Sequence, residues 1–285
     1  MINKNKTSYA DEQMENRMRL VRNRTIFKIW FAFSLLIIVL LGGFIVTPEQ
    51  LVANPSMRHV EPSLTHLFGT DWLGRDMLAR TLKGLHLSFL VGFISAILST
   101  LIAVLLSFIA SLNKYFDFLI VSLIDFFLSV PHLVMLILIV FVFGGGVKGV
   151  IIAIALTHWP TLTRILRAEI LQIKTAEYVK VSHMLGKSHG WIFVHHYIPL
   201  IVPQLFAGFV MLFPHAILHE ASITFLGFGL SPEQPAIGII LAESMKYLSM
   251  GMWWLALFPG LLLVCLVNIF DMLGRNIKLY LLPNE

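Results

Sequence analysis

Residues Arg164 to His196 read RILRAEILQIKTAEYVKVSHMLGKSHGWIFVHH and stand between long apolar runs. This polar island decides the fold. Crossing a bilayer takes about 20 apolar residues of helix, and the flanking runs approach or exceed that length. A charged, foldable segment tied at both ends to such runs belongs in water, where its natural counterpart is another protein.

The rest of the chain agrees with a membrane setting. Of its 285 residues, 57% are hydrophobic and 13% charged, about half the charge of a soluble domain. Mean hydropathy is +0.82. The apolar runs predict an all-α integral membrane protein with six transmembrane helices, over 26–46, 86–111, 118–143, 149–166, 200–226 and 252–273. Gly144-Gly145-Gly146 separates the third from the fourth by a hairpin too short to hold a domain. Pro131, Pro160, Pro203 and Pro214 are expected to bend spans, which neighbouring helices tolerate. The first run exceeds a signal-peptide core, and no Ala-x-Ala-like site follows it. Cys265 lies in an apolar run, and a lone cysteine forms no internal disulfide.

The formal charge of +5 and pI near 9.4 are features of nucleic-acid binders, but basic residues also gather in cytoplasmic loops of membrane proteins. With the N-terminus inside, only Arg58, Arg75, Arg80, Lys83, Lys148 and Lys246 of the 21 lysines and arginines fall outside. The expectation is a multi-pass cell-membrane protein, in contact with lipid and not nucleic acid. Both termini and the polar island face the cytoplasm. Residues 1–25 and 276–285 are the cytoplasmic tails, and 47–85 lies on the far side. In that outer segment Asp71–Arg75 and Asp76–Arg80 are both spaced i, i+4, which predicts an interfacial helix.

Within the island, Gly186-Lys187-Ser188 looks like the end of a phosphate loop, but the glycine needed five positions before Gly186 is Val181. No nucleotide site is expected on this chain. Tyr178, Val181 and Leu185 share a helical face with Met184 close by, and Gly186 stops the helix. Periodicity leaves two readings open: a helix lying on the membrane surface, or a knob for a groove on a cytoplasmic partner.

Polar residues inside spans mark function. His215 and His219 are an i, i+4 pair with Glu220 beside them, a spacing that serves metal ligation or simple satisfaction by neighbouring helices. His158, His215, His219 and Glu220 are the candidates for a translocation path, and no metal ligand set is assigned. Asp125 and Asp271 either pair with basic groups or line the path. His183, His189, His195 and His196 belong to the island, with surface or docking roles.

The segment Lys180-Val181-Ser182, three residues, Gly186, nine residues, then His196-Tyr197-Ile198-Pro199 resembles the "EAA" loop of ABC importer permeases in spacing. Lys180 stands in place of Glu, Val181 and Ser182 in place of alanines, and His196 in place of Ile. Phe68-Gly69-Thr70-Asp71-Trp72-Leu73-Gly74-Arg75-Asp76 is similar to the Gly-Thr-Asp-x-x-Gly-Arg-Asp signature of peptide and nickel permeases. Ser222 to Gly229 is similar to their Leu-Ser-Phe-Leu-Gly-Leu-Gly stretch, and Phe258-Pro259-Gly260, Asn268 and Arg275 to their last span. On these residues the chain resembles the C-type permease of dipeptide, oligopeptide and nickel importers.

The resemblance implies a type I ABC importer permease fold over 86–275, with a cytoplasmic coupling loop over 167–199 that docks a partner. Glu177, Lys180, Val181, Ser182, Gly186, Ile198 and Pro199 would carry that docking. Gly69, Thr70, Asp71, Gly74, Arg75 and Asp76 carry the signature. It also implies a second permease forming a heterodimer, two ATPase subunits that use ATP and Mg, and an extracytoplasmic substrate-binding protein. This chain would bind no cofactor, and its cargo would be a small peptide or a nickel or other transition-metal chelate. His158-Trp159 and Leu218-His219 resemble the nickel-type members. Two other classes stay in view. A membrane metalloenzyme built on His215, His219 and Glu220 lacks a His-Glu-x-x-His pattern. A receptor or scaffold would dock a signalling protein through the island.

Overall fold

The computed structural model describes residues 25–34, 36–37 and 41–281. Most of the expected N-terminal tail, parts of the first span and the last four residues lie outside them. Among the described residues the chain is helices and turns, with one isolated bridge between Thr70 and Asp76.

A short apolar helix, α1, covers Thr25–Ser34, and helix resumes over 41–45. The main elements follow as α2 (Met77–Leu112), α3 (Lys114–Ser129), α4 (His132–Val142), α5 (Gly146–Lys174), α6 (Glu177–Met184), α7 (His189–Ile192), α8 (Ile198–Phe225), α9 (Ile237–Leu248) and α10 (Trp254–Leu281). A π turn over Phe193–Tyr197 joins α7 to α8. Four helical runs are long and apolar enough to cross a membrane: α2, α5, His189–Phe225 and α10. The pair α3 and α4 makes a fifth crossing if its two arms, bent by 99°, count as one span. The first expected span is described only in pieces.

The bend has a local cause. Pro131 bars α conformation at the residue before it, and Val130 is extended at φ −87°, ψ 138°. The helix stops at Ser129 and restarts at His132 in a new direction.

Helix α2 has 36 residues, roughly 54 Å at 1.5 Å per residue. It therefore runs well past the span expected at 86–111. Its buried stripe is made of small residues, Gly84, Ser88, Gly92, Ser95, Ser99, Ala103, Ser107 and Ala110. In lipid, such a stripe lets helix backbones approach closely: α9 packs at Gly84, α8 at Gly92 and α5 at Ser107. Two of its buried hydroxyls bond back to the helix, Ser95 donating to Val91 O and Ser107 to Ala103 O, both at 2.7 Å, whereas those of Ser88 and Ser99 have no hydrogen-bond partner.

The outer segment departs from the expected interfacial helix. Asp71 and Arg75 do pair, at 2.7 Å, but across a turn. Arg80 ignores Asp76 and reaches Asp71 at 2.7 Å and Glu243 of α9 at 2.9 Å. Asp76 instead caps α2, accepting from Ala79 N at 2.9 Å, and bonds His66 Nδ1 at 2.9 Å. Only the first of the two spaced pairs forms, and it forms outside a helix, because Asp71 accepts the backbone N–H of Leu73 and Arg75, an alternative to helical pairing open to aspartate; the second pair stands at the start of α2 without side-chain pairing. Gly74 takes φ +77° and packs against the Asn54 carbonyl, where any side chain would collide. Thr70 locks the other side, donating to Met57 O and accepting from Val60 N.

Helix α9 was not expected. Its 12 residues bury Ile237, Gly238, Ile239, Ile240 and Ser244 against α8, α10 and α2. It is too short to register as a span.

Candidate functional site

Two regions hold the candidate residues. The first is inside the membrane part. His158, on α5, is buried, and its Nδ1 donates to Ile154 O at 3.0 Å. His219, on α8, is half-buried. Its ring centroid is 5.1 Å from that of His158. A third imidazole completes the group: His132, first residue of α4, lies 4.7 Å from His158 and 4.5 Å from His219. One nitrogen from each of the three falls within 4.8 Å of the others. Sequence reasoning missed His132. Its available signal was a lone polar residue in an apolar run, next to Pro131.

The other two candidates are not part of this group. His215 is exposed one turn before His219. Glu220 is fully buried on another face of α8, where Thr224 Oγ1 donates to its Oε1 at 2.9 Å. Ser88 of α2 neighbours it without reaching hydrogen-bond geometry to the second oxygen.

The second region is the polar island. Helix α5 runs to Lys174, eight residues beyond the expected span. Its end is pinned by Arg167 to Asp117 at 2.5 and 2.7 Å and by Lys174 to Ser111 O at 2.9 Å. Asp125 pairs with Arg164 at 3.0 Å and Asp271 with Arg275 at 2.5 Å, so both spare aspartates have basic partners.

Helix α6 follows, and it turns its apolar residues outward. Tyr178 is 47% exposed, Val181 52%, Met184 85% and Leu185 73%, whereas Val179 is buried. An outward apolar face on a helix inside a charged loop calls for cover, by a partner protein or by the membrane surface. Gly186, at φ +75°, closes the helix. Its N–H bonds His183 O at 3.0 Å and that of Lys187 bonds Ser182 O at 3.1 Å, a Schellman cap.

Two positions where the loop departs from its resembled pattern meet in space. Ser182 Oγ donates to Tyr178 O at 2.9 Å, so it accepts from His196 Nε2 at 2.8 Å. His196 also packs edge-on against Tyr178 and Trp191. This bond ties α6 to the π turn that starts the next span. Glu177 and Lys180 are exposed, Ile198 half-buried and Pro199 exposed at the start of α8.

The remaining signature segments also meet. Phe68 stacks on Phe258 of α10 at 4.7 Å. Gly229 O, at the end of the Ser222–Gly229 stretch, accepts from Gly146 N at 3.0 Å.

Comparison with known proteins agrees with this layout. The family model described as the inner membrane component of binding-protein-dependent transport systems matches residues 99–278. A peptide transport system permease protein of Brucella abortus is 31% identical, covering 91% of this chain and 88% of its own length. Dipeptide transport system permease proteins of Alkalihalophilus pseudofirmus and Bacillus subtilis are 30% and 28% identical, covering 86% and 91% of this chain and 81% and 82% of theirs. Members of this family are transport subunits and not enzymes themselves. The chain belongs to the inner membrane components of binding-protein-dependent transport systems, as a C-type permease of the ABC class.

Proposed function

We propose that this chain forms half of the membrane path of an ATP-driven importer, paired with a second, homologous permease and served by two cytoplasmic ATPases and an extracytoplasmic binding protein. The observation that carries the reading is α6. It is a short, capped helix with an exposed apolar face, held between two spans, and so it can pass a push from a partner to the membrane. The ATPases bind ATP and Mg; this chain binds no cofactor. Glu177, Lys180, Val181, Ser182, Gly186, Ile198 and Pro199 form the coupling region. Lys180 presents a positive charge where the resembled pattern has Glu, and Glu177, one turn earlier, supplies the acidic contact.

The segment containing α1 is the first of six spans. The termini and α6 are cytoplasmic, and residues 47–85 are outside. The test uses the single native cysteine, which is exposed. In a Cys265→Ser background, Val181→Cys is to react with a membrane-impermeant thiol reagent only in inverted vesicles, and Trp72→Cys only in intact cells. Crosslinking of Val181→Cys to the ATPase supports the coupling role, and its absence in the assembled complex refutes it.

The cargo that the relatives' names support is a small peptide. A second reading, a nickel or other transition-metal chelate, is favoured by one observation, the three clustered imidazoles. Identifying the ligand carried by the cognate binding protein separates the two.

A further inference from the structure

His132, His158 and His219 come from three different helices and bring one ring nitrogen each within 4.8 Å of the others. The Ile154 carbonyl can only accept, so His158 Nδ1 holds a proton. In the neutral ring Nε2 then carries the lone pair, and it is buried without a partner, as is His132 Nε2. Metal-binding histidines are built this way, with the second ring N–H fixed by a backbone carbonyl or carboxylate. Burying polar nitrogens in an apolar span is unfavourable unless something satisfies them. The three rings therefore converge on one point, where a single electrophile would satisfy them together.

We propose that His132, His158 and His219 bind a divalent transition-metal ion of the Ni²⁺, Cu²⁺ or Zn²⁺ kind. The donor set is all imidazole, which suits these ions and not the oxygen-seeking Mg²⁺ or Ca²⁺. The proposal gives the metal-chelate reading of the cargo a site on this chain, and rests on that reading only for its role in transport. Tetrahedral coordination with metal–nitrogen bonds of about 2.0–2.1 Å places the nitrogens about 3.3 Å apart. The observed nitrogens lie within 4.8 Å of one another, so the rings close by up to about 1.5 Å to engage an ion fully. His158 is held by its backbone bond; His132, at the helix break, and the half-buried His219 are the rings with room to move. The triad itself includes no carboxylate, and Glu220 turns toward Thr224. The ion keeps its charge unless it arrives with anionic ligands of its own. These features describe a passing site for a chelated ion, since a tight cage would trap cargo.

The test uses the assembled importer, purified through a tag free of histidine and titrated with CoCl₂ and NiCl₂ alone. One Co²⁺ per copy of this chain is expected, with ligand-field absorption that reports nitrogen coordination. His132→Ala, His158→Ala and His219→Ala are each expected to weaken binding at least about tenfold, while the loop variant His183→Gln/His189→Gln leaves it unchanged. Abundance in the membrane checks folding; if His158→Ala fails to accumulate, the half-exposed His132 and His219 variants decide. Unchanged stoichiometry and spectrum in the His132→Ala/His219→Ala double variant mean adventitious ions only and overturn the proposal, as does the absence of any saturable binding. Saturable, triad-dependent binding without metal uptake by proteoliposomes supplied with the binding protein leaves the site standing and refutes metal as cargo.

Discussion

Gly186 offers the sharpest test of the coupling loop, because its environment isolates one energy term. The residue sits at φ +75° with nothing within 4 Å of where a Cβ would be. A side chain there meets no steric clash, so the cost of replacing glycine is conformational. For an L-residue the left-handed region costs about 1–2 kcal/mol, with β-branched side chains worst placed. If only the capped form of α6 docks, this cost comes directly off the docking equilibrium. At about 1.4 kcal/mol per tenfold, affinity for the ATPase falls by roughly 5- to 30-fold. The series matters more than any single value. Asn tolerates the left-handed conformation, so the expected order of affinity is Gly, Asn, Ala, Val. The assay is retention of ATPase subunits on the solubilised permease at matched membrane abundance, since an open surface position leaves insertion untouched. Gly186→Val binding like the wild type, or Asn, Ala and Val weakening it equally, would refute the argument.

The bond between Ser182 and His196 predicts a coupled pair. Ser182→Ala and His196→Ile should each lower ATPase retention, and the double variant should lose less than the sum, with a coupling of about 0.5–1.5 kcal/mol; strictly additive losses would show that the bond holds nothing. Arg80 is 4% exposed and Asp71 2%, so Arg80→Met strands a buried carboxylate at a cost of about 3–5 kcal/mol, read toward the low end because Arg75 still pairs with Asp71. Thermal unfolding in detergent should fall for Arg80→Met and recover in part for Asp71→Asn/Arg80→Met; an unshifted single variant contradicts a structural role for the cluster. Glu220→Gln keeps the shape and the acceptor that Thr224 uses, so the protein should still accumulate and uptake should persist; lost uptake at normal abundance would put the Glu220 charge in the path.

What the sequence made legible follows from the range of each signal. Apolar length marked the four helical runs long enough to cross, α2, α5, His189–Phe225 and α10, because burying backbone in lipid is a demand on every residue; it did not show that the run at 118–143 breaks into two helices. The glycine stop at Gly186 was readable because a helix cap is local. The outer segment misled because i, i+4 spacing is necessary for helical pairing and not sufficient: Asp71 spends its oxygens on nearby backbone N–H groups instead. Helix α9 escaped because it is defined by what it packs against. The histidine cluster escaped for the same reason. Reasoning along one helix joined His215 to His219, whereas the fold joins His219 to His158 and, through the break at Pro131, to His132.

The two regions are also mechanically joined, which yields a last prediction. Helix α5 carries His158 and ends at Lys174, just before α6; the 16 helical steps between them span about 24 Å. Helix α8 carries His219 and begins at the π turn that His196 ties to α6. The two spans that hold α6 are therefore the two that position two of the three imidazoles. Helix shifts in switching proteins are commonly about 1–2 Å, the size of the closure that full coordination of an ion requires here. Linkage is reciprocal: if nucleotide-bound ATPase displaces α6 and alters the triad, metal affinity must change by the same factor by which metal changes the affinity for that ATPase state. Titrating Co²⁺ into the assembled importer with and without a non-hydrolysable ATP analogue measures that factor. Equal affinities in the two states would mean that the spans transmit nothing to the imidazoles. A difference that the Ser182→Ala variant diminishes would trace the transmission through the bond that fastens α6 to its span.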